Sequence, residues 1–398
     1  MNSTGLTNSI SERWKSPWRI SKTVAISMAI GIILLSSSLL VFSPSSACQV
    51  PAIYNYGDSN SDTGSVSATF GRLPSPFGET FFGKPSGRCS DGRLIIDFIA
   101  VELGLPYLSA YLDSIESDFR HGANFAASGS TIQPVDGKLF DAGFNPLSLS
   151  IQLSQFQQFK DRTIELYTQD RNLWRQGRLP RPEDFSKALY TLDCGQNDLH
   201  FGITSMGDEE KAVASIPSLI NQFALAIEEL YQEGARIFWI HNTGPIGCLP
   251  FFVINYPPKP DNADQIGCVK SYNAVAQEFN KQLKGKVSKL RTQLSDAMLI
   301  LVDIYSAKYS LISQAKKYGF DDPLSYCCGH YEDYRVDCGK TLQLVNGTNV
   351  YGGSCSDPSK YISWDGIHYT EAANKWVANR IIDGSLSDPP APLIKACR

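Results

Sequence analysis

Short runs of apolar, β-favouring residues recur along the chain, separated by longer stretches in which apolar positions return every three or four residues. The runs are Ala52 to Tyr56, Ala188 to Leu192, Ile237 to His241 and Leu299 to Ile304, with a weaker one at Ala123 to Ala127. Each predicts a strand. Between several of them helical spacing takes over. Ile216, Leu219, Ile220, Phe223, Ile227 and Leu230 share one helix side until Gly234 offers a stop, and Val275, Phe279, Leu283, Val287 and Leu290 repeat the pattern. Strands that alternate with helices imply crossover connections, hence parallel neighbours covered on both faces. The expected fold is therefore α/β: a three-layer α/β/α sandwich around a central, mainly parallel five-stranded sheet. Ligands in such sheets bind beyond the carboxyl ends of the strands, so the loops that follow strands are where chemistry belongs.

Three stretches break the alternation: Lys160 to Glu183, the Pro-rich Tyr256 to Asp264 and the Cys-rich Tyr318 to Tyr361. They read as surface elaborations, either solvated loops and helices or walls of a substrate channel. The N-terminus is different again. Arg13, Lys15, Arg19 and Lys22 precede an uncharged run from Val24 to Phe42 that ends in Ser45, Ser46, Ala47, the pattern of a signal peptide cut near Ala47. An uncleaved membrane anchor is the alternative, because the run is long enough to span. The expected organisation is a signal segment at 1–47 and one domain at 48–398, secreted in life, since no linker, charge run or internal repeat divides the remainder.

With 398 residues, 42% hydrophobic and 19% charged, the composition is that of an ordinary globular protein. Loss of residues 1–47, which carry a net +3, moves the formal charge from -4 to -7. An acidic domain without a basic patch excludes nucleic acid as an expected partner. The ten cysteines, at 48, 89, 194, 248, 268, 327, 328, 338, 355 and 397, are expected to form disulfides in an oxidising compartment. Cys327, Cys328, Cys338 and Cys355 lie near His330, but their spacing fits no paired zinc template, so no metal is expected. Asn346-Gly347-Thr348 is a glycosylation sequon, and its Asn-Gly marks a surface turn.

Directly after the first predicted strand comes Gly57-Asp58-Ser59-Asn60-Ser61-Asp62-Thr63-Gly64. A serine there leaves the strand end with its hydroxyl and its own amide facing one space, as a nucleophile with an oxyanion donor would. Taken alone it is also an ordinary turn. Of the five histidines, His121, His200, His241, His330 and His368, the last stands apart, because Asp365 precedes it by three residues, ahead of a helix that Thr370 could cap. Asp365 can hold the imidazole tautomer and stabilise the imidazolium. Gly195-Gln196-Asn197-Asp198 follows another strand, and Asn197 could aim its amide inward. Gly129, in Ala127-Ser128-Gly129-Ser130, could lend a backbone amide where a side chain would block approach. Asn, Asp and Gly favour turns in any case, so each motif is weak by itself.

Four such pieces in this order resemble the GDSL esterase/lipase family, the SGNH hydrolases, through Ser59, Gly129, Asn197 and His368. The plant-type branch is the nearer match: Tyr54 to Ser59, Leu189 to Asp193, Gly244-Pro245-Ile246-Gly247-Cys248-Leu249-Pro250 and Trp364 to Thr370 all look like it, over about residues 50–385. Within that branch the chain is most similar to the early-nodulin-type esterases, some of which carry fucosidase-like or acetylesterase-like names. The resemblance implies Ser59 as nucleophile, His368 as base, Asp365 as its partner, and an oxyanion hole made by the amides of Ser59 and Gly129 with the Asn197 side chain. Two departures are visible: Ser65-Val66 stands where many plant members have Asn-Asn, and the second block reads Ser-Gly-Ser rather than Gly-Gly-Ala. Neither touches a catalytic group.

No Gly-x-Ser-x-Gly elbow, His-Glu-x-x-His or phosphate-cradling loop occurs. Fucosidase chemistry gains no support either, since glycosidases generally use two carboxylates across the bond. The expected activity is hydrolysis of a small-molecule, cell-wall or lipid ester through an acyl-enzyme, with no cofactor. Transfer of the acyl group to another alcohol, or a non-catalytic binding or defence role, are the alternatives. No membrane partner is expected unless the leader stays attached. Phe251, Phe252 and Tyr256 are candidate pocket aromatics, or core.

Overall fold

The computed structural model describes residues 50–115, 117–134, 145–169, 177–205, 209–331 and 334–395. The leader, Cys48 and Cys397 lie outside the described residues.

Five strands, β1 (Ile53–Gly57), β2 (Gly122–Asn124), β3 (Leu189–Asp193), β4 (Ile237–His241) and β5 (Met298–Val302), pair in parallel in the order β2-β1-β3-β4-β5. A hairpin of β6 (Thr341–Gln343) and β7 (Asn349–Tyr351) stands outside this sheet. The last strand, β8 (Ser387–Asp388), adds an antiparallel edge to β5. The expected five parallel strands are thus present, but among the described residues the sheet has six members. A two-residue edge is too short to leave a hydrophobic pattern. At the end of β5, Ile304 was expected in the strand and instead opens a helix, because the Asp303 side chain accepts the Ser306 N–H and caps it.

The principal helices are α1 (Ile95–Glu102), α2 (Leu149–Gln169), α3 (Gln196–Ser205), α4 (Glu209–Gln232), α5 (Lys270–Gln293), α6 (Ile304–Ser313) and α7 (Glu371–Ile382). They pack in two groups: α4 with α2, α3 and α5, and α7 with α1 and α6. Strands β1 and β4 are buried throughout, and β3 and β5 at all but one position each, as a sheet covered on both faces requires. Much of one core layer is aromatic. Tyr54 of β1 stacks on Phe185 at 5.3 Å and meets Phe156 of α2 edge-on at 5.2 Å. Such pairs contribute about 0.5–1.5 kcal/mol beyond burial. The start of the Lys160 to Glu183 stretch is the last part of α2, which runs on to Gln169 largely exposed, with Thr163 its one inward-facing residue. Residues 170–176 lie outside the described residues.

Among the described residues three disulfides form: Cys248–Cys268, Cys327–Cys355 and Cys328–Cys338. The Cys-rich segment therefore uses its four sulfurs in bridges. Cys89 and Cys194, expected to be bridged, are instead free and buried. Phe77 and Trp364 pack against the bridged cysteines, and the N–H groups of Cys327 and Cys328 both donate to Trp364 O, at 3.0 and 2.6 Å. The segment thus backs the loop that carries Asp365 and His368. Among the described residues no helix is long and apolar enough to cross a membrane.

Candidate active site

Strand β1 ends at Gly57, and the chain turns at once: the N–H groups of Ser61 and Asp62 both donate to Asp58 O, at 3.1 and 2.9 Å. Ser59 rides on this turn at the carboxyl edge of the sheet, only 4% exposed. Its position is set by two buried side chains, one from α2 and one from its own loop. The Gln152 amide mimics a strand neighbour: its Oε1 accepts the Gly57 N–H at 3.0 Å and its Nε2 donates to Gly57 O at 2.9 Å and to Ser130 Oγ at 3.1 Å. The Asp62 carboxylate accepts the N–H groups of Gly64, Ser65, Val66 and Ser128, at 2.7, 2.6, 3.2 and 2.8 Å. One acid thereby joins the Ser59 loop to the Gly129 loop, and hydrogen bonds to a charged group stabilise by about 1.5–3 kcal/mol each.

In the second loop Gly129 adopts φ 83°, a left-handed conformation that costs a residue with a Cβ about 1–2 kcal/mol. The N–H groups on either side are engaged, Ser128 with Asp62 and Ser130 with Ala127 O at 3.0 Å. Those of Ser59 and Gly129 donate to no acceptor among the described residues. Asn197, at the start of α3, donates Nδ2–H to Ser130 O at 2.8 Å, which sets its amide beside the Gly129 loop with a second N–H to spare. Its neighbour Asp198 accepts the Ile132 N–H at 2.9 Å and the Gln133 N–H at 3.3 Å, holding that loop against α3. Burial pushes the Asp198 carboxyl up to about 7 despite these donors.

The third component is local. Asp365 Oδ2 lies 2.6 Å from His368 Nδ1, while its Oδ1 accepts the N–H groups of Ile367 and His368 at 3.1 and 2.8 Å. A carboxylate so placed makes Nδ1 the protonated nitrogen and frees Nε2 to accept. The Trp364 N–H closes the loop on His368 O at 2.7 Å, and Thr370 caps α7 through the Ala373 N–H. Burial pushes the His368 ring down, but the charge and hydrogen bond of Asp365, helped by Asp58, outweigh it and raise its pKa above the ordinary value. Burial pushes the Asp365 carboxyl up, yet the His368 charge and N–H donors hold it below the usual range. The charge of Lys308 opposes the rise at His368.

The predicted residues thus form two assemblies: Ser59, Gly129 and Asn197, stitched by Asp62, Gln152 and Asp198, and the Asp365–His368 pair. Asn346 sits apart from them, in the exposed β6–β7 turn. Phe252 is fully buried and serves the core, whereas Phe251 is partly exposed and donates its N–H to Gly366 O at 2.9 Å, in the loop between Asp365 and His368. Asp62 and Asp198 stand inside recognisable motifs, yet nothing in the sequence gives them a role. Gln152 and Lys308 carry no local signal at all.

A serine at a strand end, a loop amide without an acceptor and a carboxylate-held imidazole are the parts that serine acyl hydrolysis calls for. The chain belongs to the GDSL-like Lipase/Acylhydrolase family, whose model matches residues 53–381. It is 50% identical over 380 residues to a GDSL esterase/lipase of Arabidopsis thaliana, covering 95% of this chain and 96% of that one. It is 48% identical over 374 residues to an esterase of Hevea brasiliensis (92% and 94%), and 46% identical over 352 residues to the GDSL esterase/lipase ENOD8 of Medicago truncatula (88% and 90%). Membership places it in the carboxylic ester hydrolase class.

Proposed function

We propose that the protein is a secreted serine esterase in which Ser59 attacks the ester carbonyl, His368 takes the serine proton and returns it to the leaving alcohol, and water then releases the acid from the acyl-enzyme. Asp365 orients His368 and stabilises its protonated form. The oxyanion is received by the N–H groups of Ser59 and Gly129 and by the Asn197 amide. The domain is residues 48–398, preceded by a cleaved signal segment at 1–47, with a glycan at Asn346. The substrate is a small-molecule, cell-wall or lipid ester, and the reaction uses no cofactor.

The observation that carries this reading is the pair of uncommitted amides. Buried N–H groups are almost always paired in folded proteins, so two left free next to Ser59, with a third donor aimed alongside, support a place reserved for an anionic oxygen. The test is hydrolysis of a short-chain nitrophenyl ester by the wild type and by Ser59→Ala. Loss of turnover and of fluorophosphonate labelling together is the expected result. Equal rates in both proteins would refute the assignment.

A further inference from the structure

Lys308 is a charged group that acyl transfer leaves unused. It projects from α6 and is 5% exposed. Burial lowers its pKa, and the fields of Asp193 and Asp58 pull it back up. An ammonium removed from water is strongly disfavoured unless its surroundings compensate, and the compensating contacts here fall at informative places. Nζ lies 3.5 Å from Asn60 Oδ1 and 4.5 Å above the centroid of the Tyr369 ring. Asn60 is the residue after Ser59, and Tyr369 is the residue after His368. Neither neighbour is loose: Asn60 donates its N–H and Nδ2–H to Asp58 Oδ1, both at 2.9 Å, and Asn374 Nδ2 donates to Tyr369 O at 3.3 Å. The lysine stem runs over Gly244, where a Cβ would come within 2.9 Å of Cδ, so the absence of a side chain there makes room for this route.

We propose that Lys308 is a positioning residue for ester hydrolysis: its ammonium, wedged between Asn60 and the face of Tyr369, fixes the separation of the Ser59 turn from the His368 loop. The proposal rests on the assignment of Ser59 and His368 as nucleophile and base. Proton transfer between them needs a separation of about 2.6–3.2 Å, and the two residues belong to segments that meet only through tertiary packing. A displacement of about 1 Å costs on the order of 100-fold in rate, so one contact shared by both segments has leverage on turnover without touching substrate.

The test uses the full chain carrying Lys308→Met, with kcat and KM measured on a short-chain nitrophenyl ester and folding checked by circular dichroism. The expected result is a fall in kcat of roughly 10- to 100-fold with KM within about twofold. A folded variant with kcat within about twofold of wild type, or one in which KM rises while kcat holds, overturns the proposal. Asn60→Ala tests the same wedge from a partly exposed position and stands alone if Lys308→Met does not fold. It should lower kcat about threefold or more at constant KM, and an unchanged kcat overturns the proposal. In the double variant the two losses should not multiply, because both remove one contact, and full multiplicity also counts against it. Ser59→Ala is run alongside: an active Ser59→Ala protein would remove the nucleophile assignment itself, an outcome distinct from a silent Lys308→Met.

Discussion

Replacing Asp365 with Asn isolates what that carboxylate does for the base, because most of its hydrogen bonds survive the change. Asn Oδ1 can still accept the Ile367 and His368 N–H groups, which lie at 3.1 and 2.8 Å in the wild type, so the loop should keep its shape. What changes is the atom 2.6 Å from His368 Nδ1. It becomes an amide N–H, a donor facing a donor, and the ring relieves the clash by moving its proton to Nε2. That nitrogen can then no longer take the Ser59 proton. In serine proteases with a Ser-His-Asp triad, the same exchange of Asp for Asn reverses the tautomer in this way and costs about 10⁴ in kcat, or on the order of 5 kcal/mol of barrier. A loss of that order is expected here, somewhat smaller than for His368→Ala. A second signature concerns pH. The base works only when neutral, so kcat/KM falls on the acid side as pH drops through the His368 pKa. Asp365 raises that pKa. Removing its charge should therefore move the acid limb of the residual activity to lower pH. Stopped-flow or plate-reader hydrolysis of a nitrophenyl ester across the pH range, with fluorophosphonate labelling as an independent measure of Ser59 reactivity, reads both effects. An Asn variant within about tenfold of wild type, with its acid limb unmoved, would refute the orienting role.

Asn197→Ala removes the side-chain donor beside the Gly129 loop and should lower kcat by about 10²–10³ with a smaller change in KM; unchanged kcat on the same ester would mean that the amide does not meet the oxyanion. Asp198→Asn should alter the pH dependence of stability. The folded carboxyl titrates at about 7 against about 3.9 in an unfolded chain, so its stabilising contribution is complete below about pH 4 and is lost as pH rises through about 7. An amide does not titrate, so the fall in Tm between about pH 5 and about pH 8 should narrow in the variant. It should not vanish, because Asp58, pushed up to about 7 chiefly by burial and then by Asp193, titrates over the same range. A fall as large as in wild type would contradict this account.

The layered architecture was legible because its signal is local and repeated. Runs such as Ile237 to His241 are strands from end to end, and the Val275 to Leu290 stripe is the buried side of α5. Misreadings fell where a side chain outside the pattern decides the backbone. Ile304 looks like strand until Asp303 caps the helix that begins there. The run Ala123 to Ala127 is regular strand only as far as Asn124, whose Oδ1 takes the Ala126 N–H, while the N–H groups of Phe125 and Ala127 still donate to Asn55 O and Gly57 O of β1. β8 could not be seen at all, since its pairing is with β5, in a remote part of the chain.

The site divides along the same line. Asp365 and His368 are three residues apart, and their contact is built from adjacent loop geometry, so their spacing alone makes the pair a candidate. Ser59, Gly129 and Asn197 lie far apart in sequence, and what brings their amides to one space is a set of buried groups: Asp62 accepting from Ser128, Gln152 bridging Gly57 and Ser130, Asp198 holding Ile132. A single chain offers no periodicity from which such long-range pairs can be read, because each is one side chain matched to one backbone group. The motif residues were therefore recognisable while the residues that aim them were not. This has a physical corollary for the chemistry: a donor contributes to catalysis in proportion to how little it must reorganise when charge develops. In this fold that rigidity comes from Asp62, Gln152 and Asp198, so altering any of them should lower turnover even though none is placed to meet the ester.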